Sequence, residues 1–511
     1  MSNQTSDNNK RIAKNTLLLY FRMLFMMLVS LYTSRVILNA LGVEDFGIYN
    51  VVGGVVAMFT VISGSLSAAI SRFITYELGK GDQSKLNRIF SASVTIQLLL
   101  SLIIVVLIES VGVWFLNTKM TIPMERITAA NWVLQFSIIT FVINLISVPY
   151  NAAIIAHEKM SAFAYISILE VLGKLVIAYL IMCSPIDKLV YYAILMCVVA
   201  MIVRFTYGHF CKKHFVECVY HFHWDKKILQ QMFGFAGWNF IGVTSTVFRD
   251  QGVNILINIF CGPSVNAARG IAYQVQSAIS SFANNFMTAL NPQIIKSYAK
   301  EDYSYLSLLI VKGSRFTFLL LFLVAMPIFM QTDYILHLWL VNVPAHTEAF
   351  VRLLLIFSLI EGTQGAMITA IMATGKIRNY ELSISAIQLL NMPISYVCLY
   401  LGVLPEMTIV VSIFLSLICF FVRLFLLNRY IHIKIGKVIV HLGMCILCVI
   451  SISYCILYYI LLVIENDSFW GFLIKLLCCI FVCIITSFII GLNRDERVYV
   501  IKKIREKYEK K

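Results

Sequence analysis

Charged side chains are scarce in this 511-residue chain: Asp, Glu, Lys and Arg make up 13% of it, whereas 60% is hydrophobic and the mean hydropathy is +0.84. A soluble domain carries about 25% charged residues, so this chain has too few to cover a surface exposed to water. Acidic residues are the scarcer sign, with 26 against 41 basic ones. The composition excludes a soluble enzyme, a secreted disulfide scaffold and a disordered tail protein, and it indicates an integral membrane protein.

Sequence signatures of catalysis are also absent. The chain has no G-x-x-x-x-G-K-[ST] phosphate loop, since Gly375-Lys376 is followed by Ile377 and lacks the upstream glycine. It contains neither an HExxH zinc motif nor a nucleophile elbow, and no connection between apolar runs is long enough for an external catalytic domain. We therefore predict a protein that is not an enzyme and needs no cofactor.

The 13 cysteines imply no disulfide framework, because most lie in apolar runs where a thiol behaves as a small hydrophobe. One short segment has a zinc-like composition: Cys211 and His214, then Cys218 and His221, form two C-x-x-H pairs, with His223 beyond. Structural zinc sites usually join two such pairs across a longer loop. We therefore favour a basic connection at a helix end over a metal site.

Fourteen apolar stretches are long enough to cross a membrane, since about 20 helical residues span the hydrocarbon core. We predict spans over residues 16–38, 46–69, 89–110, 128–153, 162–182, 188–209, 233–260, 268–290, 308–331, 349–373, 380–402, 407–428, 438–463 and 469–491. The first stretch is full length and lacks a small-residue cleavage site, so we interpret it as a retained helix rather than a signal peptide.

Basic residues outside the spans lie mostly on one predicted side of the membrane. If the N-terminus is cytoplasmic, that side holds 28 Lys and Arg residues, and the other side holds only Lys119, Arg126, Lys188 and Arg269. Positive charge accumulates on the cytoplasmic side, so both termini are predicted to be cytoplasmic. The same asymmetry accounts for the pI near 9.2 without a nucleic-acid partner.

Short segments recur about 220 residues apart and suggest an internal repeat. The matched pairs are residues 41–45 with 261–265, 79–82 with 299–302, and 156–159 with 374–376. Two six-helix lobes of the same topology follow, which is the parallel-repeat plan of transporters that alternate access.

The predicted fold class is an all-α polytopic membrane protein of about 14 transmembrane helices. Its organisation is a cytoplasmic leader, an N-lobe of six spans, a cytoplasmic connection, a C-lobe of six spans, an appended pair of spans and a basic cytoplasmic tail. The predicted boundaries of these parts are residues 1–15, 16–210, 211–232, 233–430, 431–491 and 492–511.

Nine basic residues lie inside or at the ends of the spans. Those near an interface are expected to snorkel to the headgroups, namely Arg204, Arg315, Arg352 and Arg423. Three lie deeper, where an ionised group costs at least about 2.5 to 3.5 kcal/mol unless it meets a partner or water. These three, Arg22, Lys174 and Arg249, are predicted to face an interior cavity.

Structural ion pairs are the alternative interpretation for two of the deep cations. Glu170 precedes Lys174 by four residues, and Arg249 can pair with Asp250 or Glu361. The seventh and eighth spans also carry polar stripes that include Asn254 and Asn284. Such stripes often only join helices, but beside a central arginine we interpret them as the wall of a wet cavity.

One motif resembles a known family. Residues 33–49 read TSRVILNALGVEDFGIY, a basic residue followed by L-G-x-x-x-[FY]-G, and residues 67–73 read SAAISRF. With fourteen spans, the repeat and Lys174 in the fifth span, these motifs resemble the polysaccharide flippases over about residues 15–430. That family belongs to the exporter superfamily that also contains the lipid II flippase and the cation-coupled drug exporters, whose fold is V-shaped.

The resemblance implies that the chain moves an undecaprenyl-pyrophosphate-linked oligosaccharide across the bacterial inner membrane for O-antigen or capsule synthesis. Arg22 and Arg249 are then expected to contact the diphosphate and Lys174 a sugar or phosphate. Arg35 is a further candidate, for release or for holding Glu44 or Asp45. The expected partners are the lipid-linked substrate, membrane lipids and a polymerase of the same pathway.

Ion coupling and other functions remain open from the sequence. Candidates for titration in an ion-coupled cycle are Glu170, Asp250 and Glu361. A drug exporter that binds cations is one alternative, although the deep charge here is mostly basic. A membrane glycan polymerase or ligase is another, although such enzymes usually need a large external loop.

Overall fold

The computed structural model describes residues 3–57, 59–118, 122–222, 225–340, 343–431, 435–463, 469–498 and 501, and over these residues it contains helices and no strand. In chain order the helices are α1 (Asn3–Ala57), α2 (Thr60–Lys80), α3 (Gln83–Leu107), α4 (Val113–Thr118), α5 (Ile127–Ala156), α6 (Met160–Leu180), α7 (Lys188–His214), α8 (Lys226–Ala299), α9 (Tyr303–Met330), α10 (Thr332–Trp339), α11 (Thr347–Thr374), α12 (Arg378–Leu389), α13 (Asn391–Tyr400), α14 (Met407–Ile431), α15 (Ile435–Val463) and α16 (Phe469–Thr486). The all-α prediction is confirmed.

Ten helical stretches within the described residues are long and apolar enough to cross a membrane. They coincide with ten of the fourteen predicted spans, namely the third to sixth and the ninth to fourteenth. The other four predicted spans fall on α1, α2 and α8. The span predicted over residues 46–69 is divided between α1 and α2, which meet near Phe59. The chain is a multi-pass membrane protein.

The internal repeat is present in the backbone. Helices α1 and α8 are each broken at one glycine, Gly42 with φ 83° and ψ 166° and Gly262 with φ 82° and ψ 176°. This combination of positive φ and extended ψ is essentially restricted to glycine. Because the two breaks lie 220 residues apart, the same sequence signal produces the same bend in each half.

The ends of the next helices repeat in the same way. Asp82 caps α3 by accepting a hydrogen bond from the backbone N–H of Lys85, and Asp302 caps α9 by accepting one from Tyr305, each at 3.0 Å. The residues before these caps, Gly81 and Glu301, both have positive φ. An Asp at the N-cap satisfies a helix N–H group that has no partner within the helix.

The chain divides into two compact units. Unit 1 comprises Met1–Val243 with Asn291–Glu301, and unit 2 comprises Thr244–Leu290 with Asp302–Lys511. Each has its own apolar core: Val52, Ile104 and Val133 belong to that of unit 1, and Ile257, Phe350 and Leu355 to that of unit 2. Helices α15 and α16 pack on α9 within unit 2. The lobe and connection boundaries proposed from the sequence remain predictions.

We expect Gly262→Ala to destabilise the protein more than Gly270→Ala. Alanine at the Gly262 backbone conformation costs about 1 to 3 kcal/mol. Gly270 is the matched control, because its φ is not in the left-handed region and a Cβ there meets open space. The melting temperatures of the purified variants in detergent measure the difference, and equal temperatures would contradict the assigned role of Gly262.

Candidate functional site

In unit 1, helices α1 and α6 bring Arg22 and Lys174 to the same helix pair. The guanidinium of Arg22 donates a hydrogen bond to Ser167 Oγ at 3.1 Å and lies 4.4 Å from the centre of the Phe163 ring. Lys174 Nζ lies 2.6 Å from Glu170 Oε1. The spacing of these α6 residues is four, three and four, so they follow one face of the helix.

This group, Arg22, Glu170 and Lys174, carries two positive charges and one negative charge. The ion pair that the sequence left open for Lys174 is present. Yet the side chains of Lys174 and Glu170 keep 37% and 39% of their surface exposed. An exposed ion facing acyl chains costs about 2.5 to 3.5 kcal/mol, so this face of α6 favours a polar environment. The group is suited to an anionic ligand that enters beside Glu170.

In unit 2, Arg249 on α8 is mostly buried and paired. Its Nε donates to Asp250 Oδ1 at 2.9 Å, and its side chain is 12% exposed. The guanidinium lies 5.5 Å from the Phe357 ring, and Glu361 acts on it electrostatically. The structural alternative that the sequence left open for Arg249 is therefore also present.

Arg269, counted from the sequence among the external basic residues, lies on α8 and is buried in unit 2. It is 5% exposed and donates to Asn254 Oδ1 at 3.0 Å, to the Asp250 carbonyl oxygen at 3.1 Å and to Tyr273 Oη at 3.0 Å. Arg269 is helical because α8 resumes directly after Gly262, and its external side stays a prediction. Asn254, a predicted substrate contact, is thus already engaged by an arginine.

A third cationic centre in unit 2 surrounds Arg423, which the sequence predicted to snorkel. Its side chain is buried, donating one hydrogen bond to Gln364 and another to Tyr380 Oη at 3.3 Å. Glu361 accepts a hydrogen bond from Ser416 in the same region. The snorkelling prediction was wrong because amide and hydroxyl partners on α11 and α12 hold the guanidinium inside the unit.

The other arginines expected to snorkel have different surroundings. Arg315 is buried, and its Nη2 lies 2.5 Å from Glu496 Oε2, so the prediction was wrong there too. Arg352 lies on the surface in an i, i+4 pair with Glu348 at 2.7 Å. Arg204 lies 3.9 Å from the centre of the Tyr150 ring.

The remaining predicted site residues are not brought together by these contacts. Asn284 is exposed, and its backbone carbonyl accepts a hydrogen bond from Thr288 at 2.8 Å. The side chains of Arg35 and Glu44 lie outside the described part of the chain. Asp45 accepts a hydrogen bond from Arg126 Nε at 2.8 Å.

Arg126 also contacts Asp187, which caps α7. Arg126 Nη1 lies 2.5 Å from Asp187 Oδ2. Burial alone would raise the pKa of Asp187, but this contact and the backbone N–H groups of Val190 and Leu189 outweigh it, so the pKa is lowered. The contacts of Arg126 therefore hold together the α1, α5 and α7 ends of unit 1.

The cysteine and histidine segment uses its polar groups in other contacts. Cys211 Sγ donates to the Tyr150 carbonyl at 3.5 Å, and the His221 backbone N–H donates to Ser91 Oγ at 3.2 Å. Within the described residues, no three His, Cys, Asp or Glu side chains are grouped to hold a metal ion. His223 lies outside these residues.

A cavity of about 630 Å³ lies within unit 2, lined by α9, α11, α14 and α15. Its walls are almost entirely apolar, with side chains such as Phe318, Leu355, Phe421 and Leu447. Such walls cannot replace the hydration of a charged headgroup. The polar groups around Arg22 and Arg249 are therefore the better candidates for recognition of an ion.

Comparison with known proteins gives a family and a fold. A family model described as "polysaccharide biosynthesis protein" matches residues 12–298. An uncharacterized membrane protein of Bacillus subtilis, EpsK, is 20% identical over 302 residues, which are 58% of this chain and 59% of that protein. The chain thus covers less than two thirds of this relative.

Solved structures share the fold at low identity. A MATE protein in complex with MaD3S has a TM-score of 0.71 and 12% identity, covering 84% of this chain and 97% of that one. An outward-facing multidrug resistance MATE transporter has a TM-score of 0.70 at 13% identity and coverages of 84% and 96%. A MOP superfamily transporter from Pyrococcus furiosus, described as having a binding pocket of reversed polarity, has a TM-score of 0.68 at 13% identity. The match covers 84% of this chain and 96% of that one.

We expect Arg423→Leu to destabilise the protein strongly. Removing one partner of a buried ionic network costs about 3 to 5 kcal/mol, because the remaining polar groups stay buried without the positive charge that compensates them. Arg352→Leu is the control, since an exposed ion pair contributes about 0 to 1 kcal/mol. Thermal unfolding of both variants measures this, and a smaller loss for Arg423→Leu than for Arg352→Leu would contradict the assigned network.

Proposed function

The chain belongs to the polysaccharide biosynthesis protein family, whose model covers more than half of it, and on that basis we propose that it is a flippase for lipid-linked oligosaccharides. The proposed substrate is an undecaprenyl-pyrophosphate-linked repeat unit for O-antigen or capsule synthesis, moved across the bacterial inner membrane by alternating access. Its multi-pass fold is that of MATE transporters, which supports a transporter rather than an enzyme. Cytoplasmic termini and a polymerase partner belong to the same proposal.

The observation that carries the proposal is the pair of cations beside α6, Arg22 and the partly exposed Lys174. A pyrophosphate is an anion, and moving it through hydrocarbon without compensation costs many kcal/mol. Arg22 offers a planar donor set that matches phosphate oxygens, and Lys174 offers a point charge. We assign both to the headgroup, with Glu170 as the group that the phosphate displaces from Lys174.

Residues of unit 2 enter the proposal as secondary contacts. Arg249 and Asn254 are engaged by Asp250 and Arg269, so a substrate would have to replace these partners. Asn284 is exposed and needs no such exchange. Arg35 stays a predicted contact for release. Glu170, Asp250 and Glu361 stay predicted candidates for ion coupling, and retained glycan display in Glu170→Gln would remove Glu170 from them.

The pair Glu170 and Lys174 gives a test that separates binding from structure. The variants are expressed in a deletion strain, which lacks the gene for this protein. If Lys174 contacts the headgroup, Lys174→Met abolishes surface glycan there, whereas Glu170→Gln retains it because the cation remains. A purely structural pair predicts equal losses for both variants and recovery in the double variant. Immunoblotting of surface glycan, normalised to membrane protein level, provides the measurement.

A matched control is available on α11. Arg352 and Glu348 form an i, i+4 pair of similar exposure, 41% for each side chain, so Arg352→Met and Glu348→Gln repeat the same chemistry away from the proposed site. Both controls are expected to display normal glycan. Normal display by Lys174→Met would overturn the assignment of Lys174.

Arg22 is tested by a change that keeps its charge. We expect Arg22→Met to lose glycan display and Arg22→Lys to retain part of it, because lysine supplies the charge without the fork of donors. Lipid-linked repeat units should accumulate in the inner leaflet of the Arg22→Met strain. Accumulation in the outer leaflet would instead indicate a defect in polymerisation.

A further inference from the structure

A buried polar stripe runs along α12 and α13 in unit 2. Its members recur every three or four residues and are at most 8% exposed: Glu381, Ser385, Gln388, Asn391 and Ser395. At 1.5 Å per residue the stripe extends about 21 Å along the helices. It therefore crosses much of a hydrocarbon core about 30 Å thick.

The C-terminal part of the stripe, from Gln388 to Ser395, is hydrogen-bonded to neighbouring helices. Gln388 accepts from Thr246 Oγ1 at 3.0 Å, Asn391 donates to Ser412 Oγ at 2.7 Å, and Asn391 accepts from Ser395 Oγ at 3.0 Å. These contacts would be enough to explain helix packing. They do not explain the end of the stripe at Glu381 and Ser385.

That N-terminal end of the stripe contains buried polar groups that lack hydrogen-bond partners among the described residues. The hydroxyl of Ser385, 4% exposed, has no hydrogen-bond partner among the described residues. Glu381, one helical turn earlier, is also 4% exposed, and among the described residues its carboxyl group forms no ion pair or hydrogen bond. A buried carboxyl beside an unpartnered hydroxyl is a place where a small ligand can bind.

The charges around Glu381 are unequal. Arg423 on α14 is the cation that acts on it, and the same guanidinium acts on Glu361 of α11. Other ionisable groups of this region include Tyr380 and Arg378 on α12, Cys419 on α14 and Arg249 on α8, which is paired with Asp250. Arg423 donates its hydrogen bonds to Gln364 and Tyr380 rather than to either carboxylate.

The Arg423 guanidinium therefore acts electrostatically on two carboxyl groups, the partly exposed Glu361 and the buried Glu381. Leaving the second one ionised without a hydrogen-bonded partner costs several kcal/mol. A metal cation would compensate it but would be repelled by Arg423. A proton has neither problem, because it neutralises Glu381 in place, and the resulting hydroxyl can donate a hydrogen bond to a neighbour such as Ser385.

We propose that Glu381 is a proton-binding carboxyl, reached along the polar stripe of α12 and α13, and that its protonation is coupled to the transport cycle. Loss of the proton places a second negative charge beside Arg423, where it competes with Glu361 and alters the contacts among α11, α12 and α14. The coupling role rests on the proposed flippase function, whereas proton binding does not.

Proton binding is tested without substrate. The full-length protein is reconstituted in vesicles of phosphatidylethanolamine and phosphatidylglycerol and titrated while infrared difference spectroscopy follows the C=O stretch of protonated carboxyl groups. We expect a band at neutral pH that is lost in Glu381→Gln and retained in Glu361→Gln and in the surface control Glu348→Gln. An unchanged spectrum for Glu381→Gln would overturn the proposal.

Folding gives a second, independent readout. Glutamine resembles a neutral carboxyl group, so Glu381→Gln is expected to keep the wild-type melting temperature. If Glu381 were instead a permanently ionised partner of Arg423, the same substitution would leave that arginine uncompensated and lower the melting temperature. A variant that fails to fold counts against proton binding in the same way.

Coupling is tested in the deletion strain. Glu381→Gln is expected to lose surface glycan display, Glu381→Asp to retain part of it, and Glu348→Gln to be normal. Normal display by Glu381→Gln together with loss in Lys174→Met would overturn coupling and leave the flippase function intact. Normal display by the deletion strain without any copy of the protein, with the infrared band still present in the purified protein, would overturn the flippase function and leave proton binding intact.

Discussion

The need to compensate charge inside an apolar chain determines the arrangement of both units. An ionised side chain in hydrocarbon is stable only with an opposite charge, a hydrogen-bond partner or water. In this protein the cations with described contacts meet carboxylates, amides, hydroxyls or aromatic rings, as at Lys174, Arg249 and Arg423. The fold is therefore constrained by polar contacts between helices as much as by apolar packing.

The two units distribute this charge differently. In unit 1, Arg22 and Lys174 both lie near the carboxylate of Glu170, and the ion pair of Lys174 with Glu170 remains partly exposed. In unit 2, the arginines at 249, 269 and 423 are mostly buried and lie in a network with the carboxyl groups of Asp250, Glu361 and Glu381. Two cations beside a partly exposed ion pair suit an anionic ligand, whereas a mostly buried network of arginines and carboxyl groups suits a group that gains and loses a proton.

Local features could be predicted from the sequence. The apolar runs gave the helices, and the glycines at 42 and 262 produce the same break because their conformation is available to glycine alone. The Glu170 and Lys174 pair was foreseeable because its members lie four residues apart on one helix.

The polar contacts of Arg423 could not be predicted from the sequence, since Tyr380 and Gln364 lie 43 and 59 residues away. Sequence spacing carries no signal for partners on other helices, which is also why Glu381 was missed.

Direct binding of substrate lipids tests the central claim, that cations beside α6 recognise an anionic headgroup. Purified protein is presented with undecaprenyl pyrophosphate and with uncharged undecaprenol, and bound lipid is counted by native mass spectrometry for the wild type and for the Arg22→Met, Lys174→Met double variant. We expect the wild type to prefer the pyrophosphate and the double variant to bind both lipids equally. A wild type without preference, or a double variant that keeps it, would contradict the account.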